Sequence, residues 1–123
     1  MANTYRDLQV WQSSIDLAER IYRLTSGFPS AEIYGLTSQM RRASVSVASD
    51  IAEGWGRRSR VEYQRFIQMA LGSKDELQTQ LVIAERLGFG NKKMLADSAA
   101  LSERIGRMLV ALHRVLRGAK PKA

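Results

Sequence analysis

The chain has 123 residues, 45% of them apolar and 25% charged, and its net charge of +7 favours anionic partners for what is otherwise an ordinary globular domain. The absence of cysteine excludes disulfide bonds, thiolate zinc sites and a cysteine nucleophile. No apolar run is long enough to span a membrane and the N-terminus lacks a signal-peptide pattern, so we expect a cytoplasmic protein.

Apolar residues recur at helical spacing in four segments, and no segment shows the sustained alternation that is typical of a strand. The predicted helices span residues 7–25, 37–54, 60–87 and 92–116. Ser59 and Asn91 are suitable N-caps and Gly88 is a suitable helix stop. Four helices with short connections predict an all-α protein, an antiparallel up-down-up-down four-helix bundle. We assign residues 1–117 to this single domain and residues 118–123 to a basic flexible tail.

The first predicted helix has apolar residues on two opposite sides. The stripe that we expect to face the core consists of Leu8, Trp11, Ile15, Ala18 and Tyr22. The second stripe lies opposite, beside Ile21, and consists of Val10, Leu17 and Leu24. One buried face cannot account for both stripes, so we expect the second stripe to contact another subunit.

The second predicted helix repeats this doubling and is rich in small residues. Its core stripe consists of Leu36, Met40, Ala43, Val47 and Ile51. A second, smaller stripe consists of Val45, Ala48 and Ala52, which we also assign to a subunit interface. Another copy of the chain is the simplest partner, so the two extra stripes predict a homo-oligomer with closed symmetry. The alternative is that these residues are isolated apolar positions on the surface, which are common.

A narrow polar sector remains on the second helix. Glu53 lies in its last turn, where the negative end of the helix dipole favours a nearby cation or donor. Arg42 is on the same side but three turns away, too far for a direct pair. We therefore expect Glu53 to pair with another segment, and Arg42 to pair with Glu32 or with an acidic residue of a neighbouring subunit. Ligand binding by this polar seam of Glu32, Arg42 and Glu53 is the alternative.

The third predicted helix is the longest. Its core face consists of Tyr63, Phe66, Ala70, Leu77, Leu81 and Ala84. Gly72 lies in the interior of this helix, away from that face, where glycine costs about 1 kcal/mol relative to alanine. A close backbone neighbour would explain the glycine.

The fourth predicted helix has one apolar and one basic side. Its core face consists of Leu95, Ser98, Ser102, Ile105, Leu109, Leu112 and Leu116. Residues 91–123 hold 8 Lys/Arg and 2 Asp/Glu, whereas residues 1–90 hold 11 and 10, so the basicity of the chain belongs to its last quarter. Opposite the core face is a basic stripe, which consists of Lys92, Lys93, Arg104, Arg107, Arg114 and Arg117.

The basic stripe is the one feature of the sequence that predicts binding. No aromatic residue lies among its cations, which favours contacts with RNA or DNA phosphates over base stacking. Two alternatives stay open: a solvated face that keeps the protein in solution, and a docking surface for an acidic or polymerase-like protein partner.

No pattern of residues predicts catalysis. His113 has no second histidine with which to share a metal, and no serine lies in a Gly-x-Ser-x-Gly turn. The acidic residues lack the Glu-x-x-His spacing of di-metal bundles. We therefore expect no enzymatic activity, no cofactor and no metal.

Four stretches of the sequence carry a family resemblance. They read "LQVWQSSIDLAERIYRLT", "FPSAEIYGLTSQMRRASVSVASDIAEGWGR", "QRFIQMALGSKDELQTQL" and "AERLGF". Together they resemble the bacterial four-helix-bundle proteins encoded in intervening sequences of large-subunit ribosomal RNA genes, over roughly residues 8–90. The last helix matches only in length and pattern.

The resemblance implies a protomer that assembles into a ring of five. It also implies a likeness to the accessory protein of diversity-generating retroelements, which works beside a reverse transcriptase and has a basic surface, and it implies no catalytic activity. The resulting hypothesis is a non-enzymatic, homo-oligomeric accessory protein that binds RNA or DNA. Its alternative is a scaffold for an acidic or polymerase-like protein partner.

Overall fold

The computed structural model describes residues 2–118, which fold as an all-α four-helix bundle. The helices are α1 (Gln9–Thr25), α2 (Leu36–Trp55), α3 (Arg60–Leu87) and α4 (Lys92–Leu116), with short 3-10 helices at Tyr5–Asp7 and Ser30–Glu32. Each α-helix packs against its two neighbours in the cyclic order α1, α2, α3, α4, so the core lies along the centre of the bundle. None of the helices within residues 2–118 is long and apolar enough to cross a membrane. The tail predicted for residues 118–123 lies, apart from Gly118, outside the described residues.

Local caps determine where α3 and α4 begin and end. Ser59 Oγ accepts a hydrogen bond from the amide of Glu62 at 3.2 Å, and Asn91 Oδ1 accepts one from the amide of Met94 at 2.9 Å. Gly88 ends α3 in the left-handed region, with φ 73°. The predicted bounds of these two helices agree with the observed ones. α1 begins two residues later than predicted, because Leu8 has an extended backbone between the 3-10 helix and α1.

The core is filled mainly by aliphatic side chains from all four helices. Its fully buried members include Leu17, Ile21, Leu24, Met40, Val47, Ile51, Ile67, Leu77, Leu81, Ile105 and Leu109. The faces predicted for α2, α3 and α4 lie on this core, with Leu36, Tyr63 and Leu112 only partly buried. Ile67, which is absent from the predicted face of α3, is fully buried.

The assignment of the two stripes of α1 was wrong. Val10, Leu17 and Leu24, predicted for a subunit interface, are 6%, 0% and 1% exposed and pack into the protomer's own core. The stripe predicted to face the core instead lies at the edge of the core, where Trp11 is partly buried and Tyr22 is 44% exposed. Aliphatic side chains fill a narrow bundle interior without stranding a polar atom, whereas Trp and Tyr each carry a polar group that favours the edge.

The second stripe of α2 is only partly available to another subunit. Ala48, at 6% exposed, belongs largely to the protomer's own packing and offers little surface to another subunit, contrary to its predicted interface role. Val45 is 43% exposed and Ala52 is partly exposed, so these two positions are open to a partner.

A close neighbour for Gly72 was also predicted wrongly. Apart from the adjoining residues and backbone of its own helix, no atom of residues 2–118 lies within 4 Å of the position that a Cβ would take at Gly72, which is exposed. A glycine that does have a close neighbour is Gly54 in α2, where a Cβ would lie 2.8 Å from Cβ of Phe66 in α3.

Two loops meet at one end of the bundle. Phe28, from the connection between α1 and α2, packs against Phe89 in the turn between α3 and α4, with ring centroids 5.7 Å apart. Phe28 is 8% exposed although it lies in a loop. The contact joins the α1–α2 pair of helices to the α3–α4 pair.

Candidate nucleic-acid interface

The basic stripe lies on the solvent side of α4. All six of its side chains belong to exposed residues. Lys93 Nζ pairs with Asp97 at 2.9 Å. The hydrogen bond between them, and to a smaller degree the positive charge of Lys93, hold the pKa of Asp97 below its usual value. The other five cations make no ion pair within residues 2–118. The stripe therefore presents largely uncompensated positive charge.

The fold gathers only part of the stripe into one place. At the rise of an α-helix, its cations extend over roughly 38 Å of α4. Lys92 lies beside the turn between α3 and α4, where it lines a separate groove together with Phe89. Arg107 and Arg114, two helical turns apart, both line a groove of about 490 Å³ between α3 and α4. Arg104 and Arg117 are exposed outside this groove.

The α3/α4 groove contains a cation that the predicted stripe lacks. Lys74 of α3 lines it together with Gln78, opposite Arg107, Arg114 and the acidic Glu103. The Lys74 side chain is only 14% exposed, and its Nζ lies 2.7 Å from Oδ1 of Asp75, whose side chain is 71% exposed.

Gly106 makes room for this lysine. A Cβ at position 106 would lie 2.8 Å from Cε and 2.9 Å from Nζ of Lys74, so the ammonium group lies against the α4 backbone where there is no side chain. The pairing joins residues 32 positions apart and leaves no pattern in either helix alone. A glycine at a buried position of α4 is the only signal in the sequence that could have suggested it.

A second group of arginines shares the far end of the bundle with the stripe. Arg60, the first residue of α3, donates from Nε to the carbonyl oxygen of Leu116 at 2.8 Å. This contact brings the turn that carries Arg57 and Arg58 to the same end as the last residues of α4. Arg57 lies over the ring of Phe66, with its guanidinium carbon 4.7 Å from the ring centroid.

The model of the 23S rRNA-intervening sequence protein family matches residues 6–111. The chain belongs to this family. The resemblance seen in the sequence is thereby confirmed, and it extends beyond residue 90 into α4. A crystal structure of a protein of unknown function from the S23 ribosomal protein family of Bacteroides thetaiotaomicron is similar, with a TM-score of 0.78 and 20% identity over 85% of this chain and 95% of that one. At that identity the likeness shows a shared fold. No curated protein matches the chain.

This member of the intervening sequence family also has an apolar surface along α1 and α2, which we call the α1/α2 face. It includes a shallow groove of about 270 Å³ lined by Trp11, Ile15, Val45 and Ala52, among others. Towards the start of α2 the surface becomes mixed, because Tyr22 and Tyr34, which is 94% exposed, share it with Arg41 and Arg42. The face combines Trp11, Ile15 and Tyr22, which were predicted to be core, with Val45 and Ala52, which were predicted for a subunit interface.

The polar seam of this family member forms no ion pair inside the described protomer. Glu32 Oε1 instead accepts a hydrogen bond from the amide of Leu36 at 3.1 Å, at the start of α2. Arg42 and Glu53 are exposed. The expected pairing of Glu53 with another segment is therefore not made within the protomer, and pairing with a neighbouring subunit stays a prediction.

Asp50 lies one turn before Glu53 on α2. Partial burial raises the pKa of Asp50 from 3.8 to about 6, and the negative charge of Glu53 adds to the rise. The C-terminal half of α2 thus presents two carboxyl groups without a cation.

The described part of this family member shows no arrangement of three or more His, Asp or Glu side chains that could hold a metal ion. His113, the one histidine of the chain, is partly buried on α4.

Proposed function

We propose that this protein is a non-enzymatic, homo-oligomeric accessory protein that binds RNA or DNA through the phosphate backbone, in the cytoplasm. The observation that carries the proposal is the exposed basic stripe of α4, of which only Lys93 has an acidic partner within residues 2–118. Exposed cations in a row release condensed counterions from a phosphate backbone and bind with little sequence preference. With no aromatic residue in the stripe, base stacking contributes nothing to this mode of binding.

Assembly would multiply the charge of the stripe. The family resemblance implies a ring of five, in which each basic stripe is repeated around the assembly. We assign the subunit contact to the α1/α2 face, because Trp11, Ile15 and Val45 line a partly exposed apolar groove that water would otherwise cover. Within the protomer we infer antiparallel neighbours, which the contact of Arg60 at the start of α3 with Leu116 at the end of α4 supports.

Charge on α2 supports the same contact. Arg42 lies towards one end of the helix and the carboxyl groups of Asp50 and Glu53 lie towards the other, all without ion-pair partners in the protomer. A second copy could place a cation against the Glu53 carboxylate, which completes the polar seam between subunits.

Electrophoretic mobility shifts with a structured RNA and a DNA duplex, at about 50 mM and 200 mM salt, test the proposal. A protein that neutralises six phosphates should lose about 10³-fold in affinity across this range. A triple variant, R104E/R107E/R114E, should bind far more weakly while its helical circular dichroism is unchanged.

The matched control reverses three exposed arginines on other surfaces, R6E/R65E/R86E, and so makes the same change in net charge. The control should retain most of the binding, because position and not total charge decides the contact. Wild-type protein that shows no salt-sensitive binding at the lower salt concentration would overturn the proposal.

A second candidate function is a scaffold for an acidic or polymerase-like protein partner. It is favoured by Val110 and Val115, which are 45% and 60% exposed beside the arginines of α4. Binding of such a partner would depend on these valines, whereas binding of a phosphate backbone would not depend on them.

A further inference from the structure

We propose that the α3/α4 groove is a binding site for a single phosphate group of a nucleic-acid backbone, with Lys74 at its base and Arg107 and Arg114 at its edge. The inference deepens the proposed function and rests on it for the biological ligand. It adds a residue of α3 to an interface that otherwise belongs to α4.

Lys74 differs from the cations of the basic stripe in how it is held. Its side chain is 14% exposed, so the aliphatic stem is already ordered by packing between the two helices. A lysine on an open helix face loses side-chain entropy when it binds an anion, and Lys74 has lost most of that freedom on folding.

Gly106 determines where the ammonium group lies. Any larger residue at this position would bring a Cβ to within 2.9 Å of Nζ and push the lysine head outwards. The groove is therefore shaped jointly by a glycine on α4 and a lysine on α3.

The charges around the groove favour an anion once Asp75 moves. The groove is lined by three cations, Lys74, Arg107 and Arg114, and by one acid, Glu103. Asp75 Oδ1, at 2.7 Å from Nζ, occupies a position that a phosphate oxygen would take. Since the Asp75 side chain is 71% exposed, its pair with Lys74 is a surface pair of small net strength, and the carboxylate can turn to solvent when phosphate enters.

The lining also indicates which part of a nucleic acid enters. No aromatic side chain lines the groove, so a base would find no stacking surface there. Guanidinium groups and a fixed ammonium group are instead the donors that bind phosphate oxygens.

Fluorescence anisotropy with a labelled 20-base-pair RNA duplex tests the site through single substitutions. Lys74→Gln should weaken binding roughly tenfold and reduce the slope of log affinity against log salt by about 1. Arg86→Gln, an exposed position elsewhere on α3, is the control for the lost charge and should change affinity much less. If the two variants lose the same affinity, the groove is not the site.

Two further substitutions separate the groove from general electrostatics. Asp75→Asn should tighten binding more than Glu76→Gln, although both remove one negative charge from adjacent exposed positions, because only Asp75 competes with phosphate for Nζ. Gly106→Ala should weaken binding several-fold at constant charge, whereas Gly72→Ala should leave it unchanged. Equal effects within each pair would overturn the assignment.

A direct anion probe distinguishes failure of this inference from failure of the proposed function. Sodium tripolyphosphate, titrated into ¹⁵N-labelled wild-type protein, should shift the amide resonances of Lys74 and Gly106 saturably. Such shifts without duplex binding would support the groove and overturn the proposed function. Duplex binding that is insensitive to Lys74→Gln would overturn the groove alone. A polyglutamate peptide that shifts the same amides at lower concentration than tripolyphosphate would overturn the assignment of phosphate.

Discussion

Arg60 Nε donates a hydrogen bond to the carbonyl oxygen of Leu116 at 2.8 Å, and Nη2 of the same side chain donates to that of Val115 at 3.1 Å. Gln64 donates to Leu116 as well, at 3.0 Å. Side chains at the start of α3 therefore donate to carbonyl groups of the last turn of α4, of which that of Val115 also accepts from the amide of Gly118 at 2.9 Å. Arg60 places a cation at the negative end of that helix.

Arg60→Ala should lower the free energy of unfolding by about 1 kcal/mol, because two carbonyl groups of α4 lose a charged donor. Urea denaturation followed by circular dichroism measures the change through its midpoint, at an unchanged slope. Arg58→Ala, an exposed arginine in the same turn, is the control and should leave the midpoint in place. Equal midpoints for the two variants would show that the contact contributes nothing to stability.

Gly54→Ala should destabilise the bundle by about 1–3 kcal/mol although alanine is the better helix former. The added Cβ would lie 2.8 Å from Cβ of Phe66 and 3.0 Å from Cδ1 of Tyr63, so α2 and α3 must move apart. Gly72→Ala meets no atom within 4 Å and should stabilise the protein by about 1 kcal/mol. Thermal unfolding of both variants tests the pair, and a stabilised Gly54→Ala protein would contradict the close packing.

Asp50 should make the stability of the wild type fall as pH rises from about 4 to 6. Its pKa in the folded state, about 6, is above the ordinary value of 3.8, so folding favours the protonated form and is opposed by ionisation. Because the residue is only half-buried, solvent screening reduces the expected loss to about 1 kcal/mol.

Asp50→Asn removes the ionisation and should gain stability relative to the wild type above pH about 6, but not near pH 4. The urea midpoints of the variant and of the wild type are compared at both pH values. Other groups titrate in both proteins, so their contribution cancels from the difference between variant and wild type. Glu53→Gln should show a smaller gain of the same sign, because the Glu53 charge is the second cause of the raised pKa. A gain for Asp50→Asn that is the same at both pH values would contradict this account.

Val45→Glu should disrupt self-association without unfolding the protomer. Val45 is 43% exposed on the α1/α2 face, where a carboxylate is tolerated by water but not by an apolar interface. Light scattering should show oligomers for the wild type and the 13.8 kDa protomer for the variant. Leu17→Ala gives the contrast: at 0% exposed it should cost about 2–5 kcal/mol of unfolding free energy. A monomeric wild type would contradict the assembly.

If Arg42 of one subunit pairs with Glu53 of its neighbour in the polar seam, reversing both charges should restore a pair that either reversal alone destroys. Arg42→Glu and Glu53→Arg should each weaken association, because each places like charges together across the interface. The double variant should recover much of the loss. Sedimentation over a range of protein concentrations measures all three, and a double variant no better than its parents would exclude a pair between these residues.

Helix positions could be predicted from the sequence wherever the signal is local. The bounds of α3 and α4 depend on Ser59, Gly88 and Asn91, which act on amides and backbone angles within a few residues. The side of α1 that faces the core could not be predicted in this way. Both sides of α1 are apolar, and the choice between Leu17 and Trp11 depends on the shape of the space that the other three helices leave.

The candidate site likewise has one part that could be predicted from the sequence and one part that could not. The basic stripe is a periodicity within one helix, so it could be predicted. The position of Lys74 depends on its meeting Gly106 across the groove, which only the packed bundle defines. For the same reason the place of Gly72 was misjudged, since its helical context alone does not show whether a neighbour is near.

The contact between Phe28 and Phe89 sets a limit on local motion. Connections between helices usually open by small fluctuations, and their amide hydrogens then exchange with solvent quickly. Here two such connections hold each other through the buried ring of Phe28 and the partly buried ring of Phe89, and the amide of Phe89 is bonded to the carbonyl oxygen of Ala84 at 2.9 Å. Exposing that amide requires the separation of segments 61 residues apart. Its hydrogen should therefore exchange at a rate set by unfolding of the bundle, as slowly as those of the helix interiors.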